Sequence, residues 1–184
     1  MQETIGILTA VRYAVLAVSA AVLFAQDRIE SLAPFYATPP VVADRMLKLG
    51  GLRAGEKMFD LGSGDGRIVI LAASRYRADA TGIEFDPALV KQSRARIRRL
   101  ELFSLARIVE GDLLRQDYSS ADLLTVFLLP IANDKLIPLL EKQLKPGTRV
   151  VSHNTAFAPW TASKVETIDD DGEGHSHKLY LYVR

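Results

Sequence analysis

Apolar positions in this chain recur in two rhythms, and the switches between them predict alternating strands and helices. Lys57-Met58-Phe59 opens a short strand, a glycine-punctuated turn follows, and Ile68-Val69-Ile70-Leu71-Ala72-Ala73 carries a helix over 67–75. Residues 79–84 read as a second strand, and Pro87, with Asp86 as N-cap, starts the next helix. Residues 106–109 form a third strand. Residues 122–129 are almost wholly apolar, as a strand buried on both faces requires. A helix over 133–144 and a strand over 149–153 follow. Residues 164–168 and 178–183 close the chain as an antiparallel hairpin, with Leu179, Leu181 and Val183 alternating against Tyr180 and Tyr182. Such alternation predicts an α/β domain whose parallel strands are joined by right-handed crossovers.

Upstream, Thr38 as N-cap and Pro39 at the first helical position introduce a helix with Val42, Met46, Leu47 and Leu49 on its apolar face, stopped by Gly50-Gly51. Tyr36 and Thr38 read equally well as part of a capped helix start or as a lid over a ligand. Residues 1–30 stand apart from the domain expected over 31–184. Residues 5–25 are apolar but for a few positions, Arg12 among them, and as a helix would span roughly 31 Å, about one hydrocarbon core. A cleaved signal peptide and a buried or partner-binding helix remain open, and a single N-terminal membrane anchor is the preferred expectation. The mixed flanking charges Glu3, Arg12, Asp27, Arg28 and Glu30 leave its topology open.

Composition narrows the chemistry by exclusion. The chain has 184 residues, 48% of them hydrophobic, enough for one compact core. It has no cysteine, which removes disulfides and thiolate-bound metals. A net charge of +1 gives no field to recruit nucleic acid.

The chemistry concentrates where strands end. Asp60-Leu61-Gly62-Ser63-Gly64-Asp65-Gly66 places an acid before three glycines at alternate positions. A pyrophosphate-binding fingerprint needs G-x-G-x-x-G, and Asp60 would repel a phosphate. The pattern suits a cationic or hydroxyl-bearing ligand approached closely by backbone. Glu84, with Phe85 after it, ends the second strand 24 residues beyond Asp60, where a carboxylate meets the hydroxyls of a ribose. Gly111-Asp112-Leu113 follows the third strand, with Asp112 placed for an adenine amino group and the Leu113 N–H for a ring nitrogen. One nucleoside with a cationic tail accounts for all three acids. The basic run Lys91, Arg94, Arg96, Arg98 and Arg99 reads as a solvated helix face, so no nucleic-acid partner is expected. His175 and His177, beside three consecutive aspartates, read as a solvated hairpin tip, and no metal site is assigned.

Asp60-x-Gly62-x-Gly64-x-Gly66 resembles motif I of the S-adenosyl-L-methionine (SAM) methyltransferases. Pro34-Phe35-Tyr36-Ala37-Thr38-Pro39, Phe127-Leu128-Leu129, the stretch from Leu144-Lys145-Pro146-Gly147 to Ser152-His153, and Leu179-Tyr180-Leu181-Tyr182-Val183 narrow the likeness over residues 34–184. They resemble the archaeal and mitochondrial protein lysine methyltransferases, the latter acting on the c-ring protein of the ATP synthase and the ADP/ATP carrier. The resemblance implies a Rossmann-like, doubly wound seven-stranded sheet of order 3-2-1-4-5-7-6, strand 7 antiparallel, with helices on both faces. It implies SAM bound by Tyr36, Thr38, Asp60, Gly62, Ser63, Gly64, Asp65, Gly66, Glu84, Phe85, Gly111, Asp112 and Leu113. The mitochondrial relatives carry a hydrophobic N-terminal segment, which implies an anchored member with its catalytic domain on the cytosolic, SAM-containing side.

Methyltransferases acting on planar amide or adenine nitrogens carry Asp/Asn-Pro-Pro-Tyr/Phe after strand four, where this chain has Leu128-Leu129-Pro130-Ile131. The expected acceptor is therefore a protein lysine amine, with Phe127, Leu129, Asn133, His153 and Trp160 as candidates for its channel. A small-molecule or lipid methyltransferase at a membrane, and a non-catalytic SAM-binding protein, are the alternatives.

Overall fold

The structure, a computed structural model, describes residues 36–184. Both the expected 1–30 segment and the anchor over 5–25 lie outside the described residues. Among the described residues no helix is long and apolar enough to cross a membrane.

Helix α1 (Pro40–Leu49) precedes β1 (Lys57–Leu61), α2 (Arg67–Tyr76), β2 (Asp79–Glu84), α3 (Pro87–Arg99) and β3 (Ala106–Glu110). A single 3₁₀ turn (Leu113–Arg115), β4 (Leu123–Val126), α4 (Pro130–Gln143), β5 (Arg149–His153), β6 (Lys164–Ile168) and β7 (His177–Val183) complete it. The strands form one seven-stranded sheet of order β3-β2-β1-β4-β5-β7-β6. β7 runs antiparallel to both β5 and β6, and the other pairings are parallel.

The period-two alternation of a strand separates two cores. Met58, Leu123, Val151 and Leu179 pack with the buried faces of α1, α2 and α3. Leu61, Leu124, Val126, Val150 and Tyr182 pack with α4, Tyr118 and Phe157 on the opposite face. By the same alternation Asp60, Thr125 and His153 share the α1 face of the sheet, at its carboxyl edge.

Two helix starts differ from expectation, both because of proline. Helix α1 begins at Pro40, and Pro39, not Thr38, is its N-cap, with φ −56° and ψ 146°. Pro40 excludes helical geometry from the residue before it. Likewise Pro130 opens α4, three residues before the expected start, because Leu129 is held extended at φ −68°, ψ 154° and Pro130 loses nothing at a position without an intrahelical partner. β4 accordingly stops at Val126, and Phe127-Leu128-Leu129 forms a connection that leaves the sheet.

Candidate functional site

The glycine turn is built around one left-handed junction. Gly66 is the N-cap of α2 at φ 76°, and a Cβ there would lie 2.8 Å from the Ser93 Cβ of α3. Glycine is required both for the conformation and for the close approach of α3. Gly64, also at positive φ, donates its N–H to Glu84 Oε2 at 2.7 Å. The other Glu84 oxygen accepts from the Phe85 and Asp86 N–H groups, each at 2.8 Å. Glu84 thus joins the end of β2 to the glycine loop, with lone pairs remaining on both oxygens.

Asp60 lies beneath this loop and is 4% exposed. Its partner is Thr125, the register neighbour on β4, whose hydroxyl donates to Oδ1 at 2.7 Å. Burial pushes the Asp60 carboxyl up to about 7, the Thr125 hydrogen bond opposes this, and the charges of Glu84 and Asp65 add to it. An acid held near neutrality by desolvation has a deficit that a cationic ligand can fill. Nearby, the buried Ser63 Oγ has no partner. Asp112 caps the 3₁₀ turn through the Leu114 N–H at 2.8 Å, and Leu113 beside it is buried, while Gly111 N–H is taken by the Glu84 carbonyl at 2.9 Å. Phe85 is 40% exposed after β2. The donor set, a glycine cradle with acids at three adjacent strand ends and one of them short of a positive charge, fits a nucleoside bearing a cationic tail.

Asp65 has a different role from the expected ligand contact. Arg67 holds it from α2, with N–O distances of 3.0 Å to each carboxylate oxygen, and Arg96 of α3 adds a third contact at 2.8 Å. These guanidinium groups hold its carboxyl below the usual range against the effect of burial. Arg67 also donates to the Thr38 carbonyl at 2.8 Å, and Thr38 is buried. The segment before α1 is therefore tied to the glycine loop, with Tyr36 beside it exposed and set edge-on to Phe127 at 6.2 Å. Sequence reasoning missed Arg67, and the only trace was its place directly after the third glycine. Arg94 departs from the expected solvated face, since its guanidinium donates twice to the Ile108 carbonyl of β3 at 2.9 and 3.0 Å.

The five acceptor-channel candidates divide between the two faces. Phe127 lies 3.9 Å from the His153 ring, centroid to centroid, on the α1 side. Leu129 is half exposed at the start of α4. Asn133 is fully buried, with a long 3.4 Å contact to the Thr155 carbonyl and an unpartnered Oδ1. Trp160 stands apart. It stacks on Phe157 at 4.8 Å, meets Tyr182 edge-on, lies under the Arg184 guanidinium and donates to Glu141 of α4 at 3.0 Å. Those contacts put it in the packing of the α4 face, away from Phe127 and His153. His177 is also misplaced by the sequence reading: it is buried, not part of a solvated tip, because β7 begins one residue earlier and carries its ring in against His153.

The ANTKMT methyltransferase domain model matches residues 60–164. A protein-lysine N-methyltransferase of Saccharolobus islandicus is 38% identical over 151 residues, 82% of this chain and 92% of that protein. A Homo sapiens lysine N-methyltransferase named for the C-type protein of the ATP synthase is 33% identical over 132 residues, 72% of this chain. The chain spans little more than half, 56%, of that human protein. The crystal structure of an RNA methyltransferase from Salinibacter ruber with S-adenosyl-L-homocysteine shares the fold at a TM-score of 0.74 and 41% identity, over 80% of this chain and 93% of that one. The nucleoside with a cationic tail inferred from the three acids is S-adenosyl-L-methionine, and the chain belongs to the ANTKMT methyltransferase domain family.

Proposed function

We propose that this SAM-dependent methyltransferase acts on lysine side chains of proteins. The observation that carries the reading is the likeness to the Saccharolobus islandicus lysine methyltransferase across nearly the whole of that protein. The end of β4 supports it, since Leu128-Leu129-Pro130-Ile131 offers neither the acid or amide nor the aromatic used to hold a planar nitrogen.

Bound SAM supplies a methyl group on a cationic sulfur. Asp60, Glu84 and Asp112 would hold the cofactor's cationic tail, ribose and adenine, and Gly64 and Gly66 let the backbone close around it. On the acceptor side, Tyr36 and Phe127 offer aromatic surface at the same sheet edge. Aromatic faces attract an ammonium and, once water is excluded, help lower its pKa from about 10.4. Orientation of the amine for in-line attack then contributes several kcal/mol or more.

The Salinibacter ruber structure, described as an RNA methyltransferase, favours RNA as the second reading. Two of the five basic residues of α3 are committed within the protein, Arg94 to β3 and Arg96 to Asp65, which weakens that surface as an RNA platform. Residues 5–25 belong to the proposal as a membrane anchor, with the domain on the cytosolic side, supported by the length of the apolar run alone. Incubating the full chain and radiolabelled SAM with a lysate, then separating protein, RNA and lipid, tests the acceptor. Label on lysine in acid-hydrolysed protein supports the proposal, and label confined to RNA or lipid overturns it. Release of the full chain from membranes by alkaline carbonate would overturn the anchor.

A further inference from the structure

We propose that His153 is the base that accepts the proton of the lysine ammonium, held in its working tautomer by His177 and Asp171. The inference rests on the lysine reading above. At the carboxyl end of β5, His153 Nε2 lies 2.9 Å from His177 Nδ1, and His177 Nε2 lies 3.0 Å from Asp171 Oδ2. All three side chains are covered: His153 is fully buried, His177 is 7% exposed and the Asp171 carboxylate is 1% exposed.

The proton positions follow from the carboxylate end. His177 and the backbone N–H groups of Glu173 and His175 hold the Asp171 carboxyl far below the usual range, so it is ionised and can only accept. His177 must then carry its proton on Nε2, which leaves Nδ1 as an acceptor. His153 must in turn donate from Nε2. One nitrogen of the chain is left with a free lone pair, His153 Nδ1, and it is buried with no hydrogen-bond partner. A buried acceptor without a partner is costly in a folded protein and calls for a reason. Phe127, the aromatic residue of the acceptor side, lies against the same ring. β4 alone separates the strand of His153 from that of Asp60, a distance of about 10 Å between strands.

Burial and the adjoining His177 push His153 down to about 4, so the ring is neutral, with its lone pair available, throughout the neutral range. Few charges face the cluster. His175 lies 3.6 Å from the same Asp171 oxygen, and Phe127 and Leu179 are apolar neighbours from β4 and β7. From α1 and β6, Arg45 and Glu166 pair with each other, and Lys164 also pairs with Glu166. Among the described residues no lysine or arginine forms an ion pair with Asp171. In the proposed step an ammonium N–H bond breaks and an Nδ1–H bond forms, directly or through one water. The new imidazolium keeps its Nε2 proton on His177, whose own proton stays on the Asp171 carboxylate, so the developing charge is offset through two hydrogen bonds. The proton passes to water when the product leaves.

The test combines kinetics with ring-nitrogen NMR. With the full chain, radiolabelled SAM and a lysate protein fraction, His153→Gln is expected to lower kcat/KM for lysine labelling about 100-fold at pH 7. The deficit should shrink to less than about 10-fold by pH 9.5, as solution itself supplies the free amine. Asp171→Asn should give a smaller loss with the same pH dependence, while affinity for S-adenosyl-L-homocysteine stays within about two-fold of the wild type in both variants. A loss that is equal at every pH would mark a structural role and overturn the proposal. So would a Nδ1-protonated tautomer of His153 or His177 in the ¹⁵N spectrum of the wild-type protein, which needs no variant to fold and has only three histidines to assign. Absence of lysine labelling by the wild type would instead overturn the lysine reading itself, and with it the proton donor proposed here.

Discussion

Arg67 joins two parts of the cofactor site that are far apart in sequence: one guanidinium nitrogen donates to the Thr38 carbonyl at 2.8 Å while two others grip Asp65. Arg67→Ala leaves Asp65 with Arg96 alone and frees the segment before α1. Loss of a charge-assisted hydrogen bond costs about 2 kcal/mol, so Tm should fall by about 4–8 °C. Affinity for S-adenosyl-L-homocysteine should weaken roughly ten-fold, since a lid that is no longer tethered must be ordered on binding. Thermal scanning and calorimetry check the two effects.

Asp60 makes cofactor binding depend on pH. Its folded value, about 7, lies above the ordinary 3.8, so the ligand-free protein gains stability from this group at low pH and loses it as pH rises through 7. A cationic ligand favours the carboxylate and lowers that value, so binding releases a proton and tightens from pH 6 to pH 8. Calorimetry of SAM in buffers of different ionisation enthalpy should detect the released proton. Asp60→Asn should abolish the release, weaken binding and remove the loss of stability above pH 7.

Gly66 and Ser93 should show a coupled response. Gly66→Ala meets both a positive φ and a contact of 2.8 Å to the Ser93 Cβ. Backbone strain alone accounts for about 1–2 kcal/mol. Adding Ser93→Gly removes the contact but not the strain, so a double-mutant cycle by urea denaturation should recover only part of the loss.

Trp160 should matter for stability and not for turnover. Trp160→Ala removes stacking on Phe157 and the bond to Glu141, with an expected loss of about 2–4 kcal/mol. At a temperature where the variant remains folded, kcat/KM should stay within about two-fold of the wild type; a much larger fall would return Trp160 to the acceptor channel.

Helix α2 and strands β2 and β5 follow directly from local periodicity, because a period of 3.6 or 2 is written into consecutive residues. The sheet order needed more, and came through the likeness of several separated motifs. The element starts at Pro40 and Pro130 were misjudged by one and three residues, since each proline acts on the residue before it as well as on its own position. Side-chain commitments were less visible. Asp65 and Arg94 read as a ligand contact and a solvated charge, yet each is satisfied by a partner from another element, and no local pattern encodes that partner.

By itself the sequence determined the α/β alternation, the glycine turn after Asp60 and the three acids at strand ends, all set by short-range spacing and by the conformations that glycine and proline permit. Tertiary structure decided which acid is protonated, through burial of Asp60 against Thr125 across β1 and β4. It decided that Trp160 belongs to one face and His153 to the other, because a strand's alternation becomes a choice of core only once the sheet has formed. It also brought Asp171 and His177 to His153, since hydrogen bonding acts over about 3 Å in space whatever the separation along the chain.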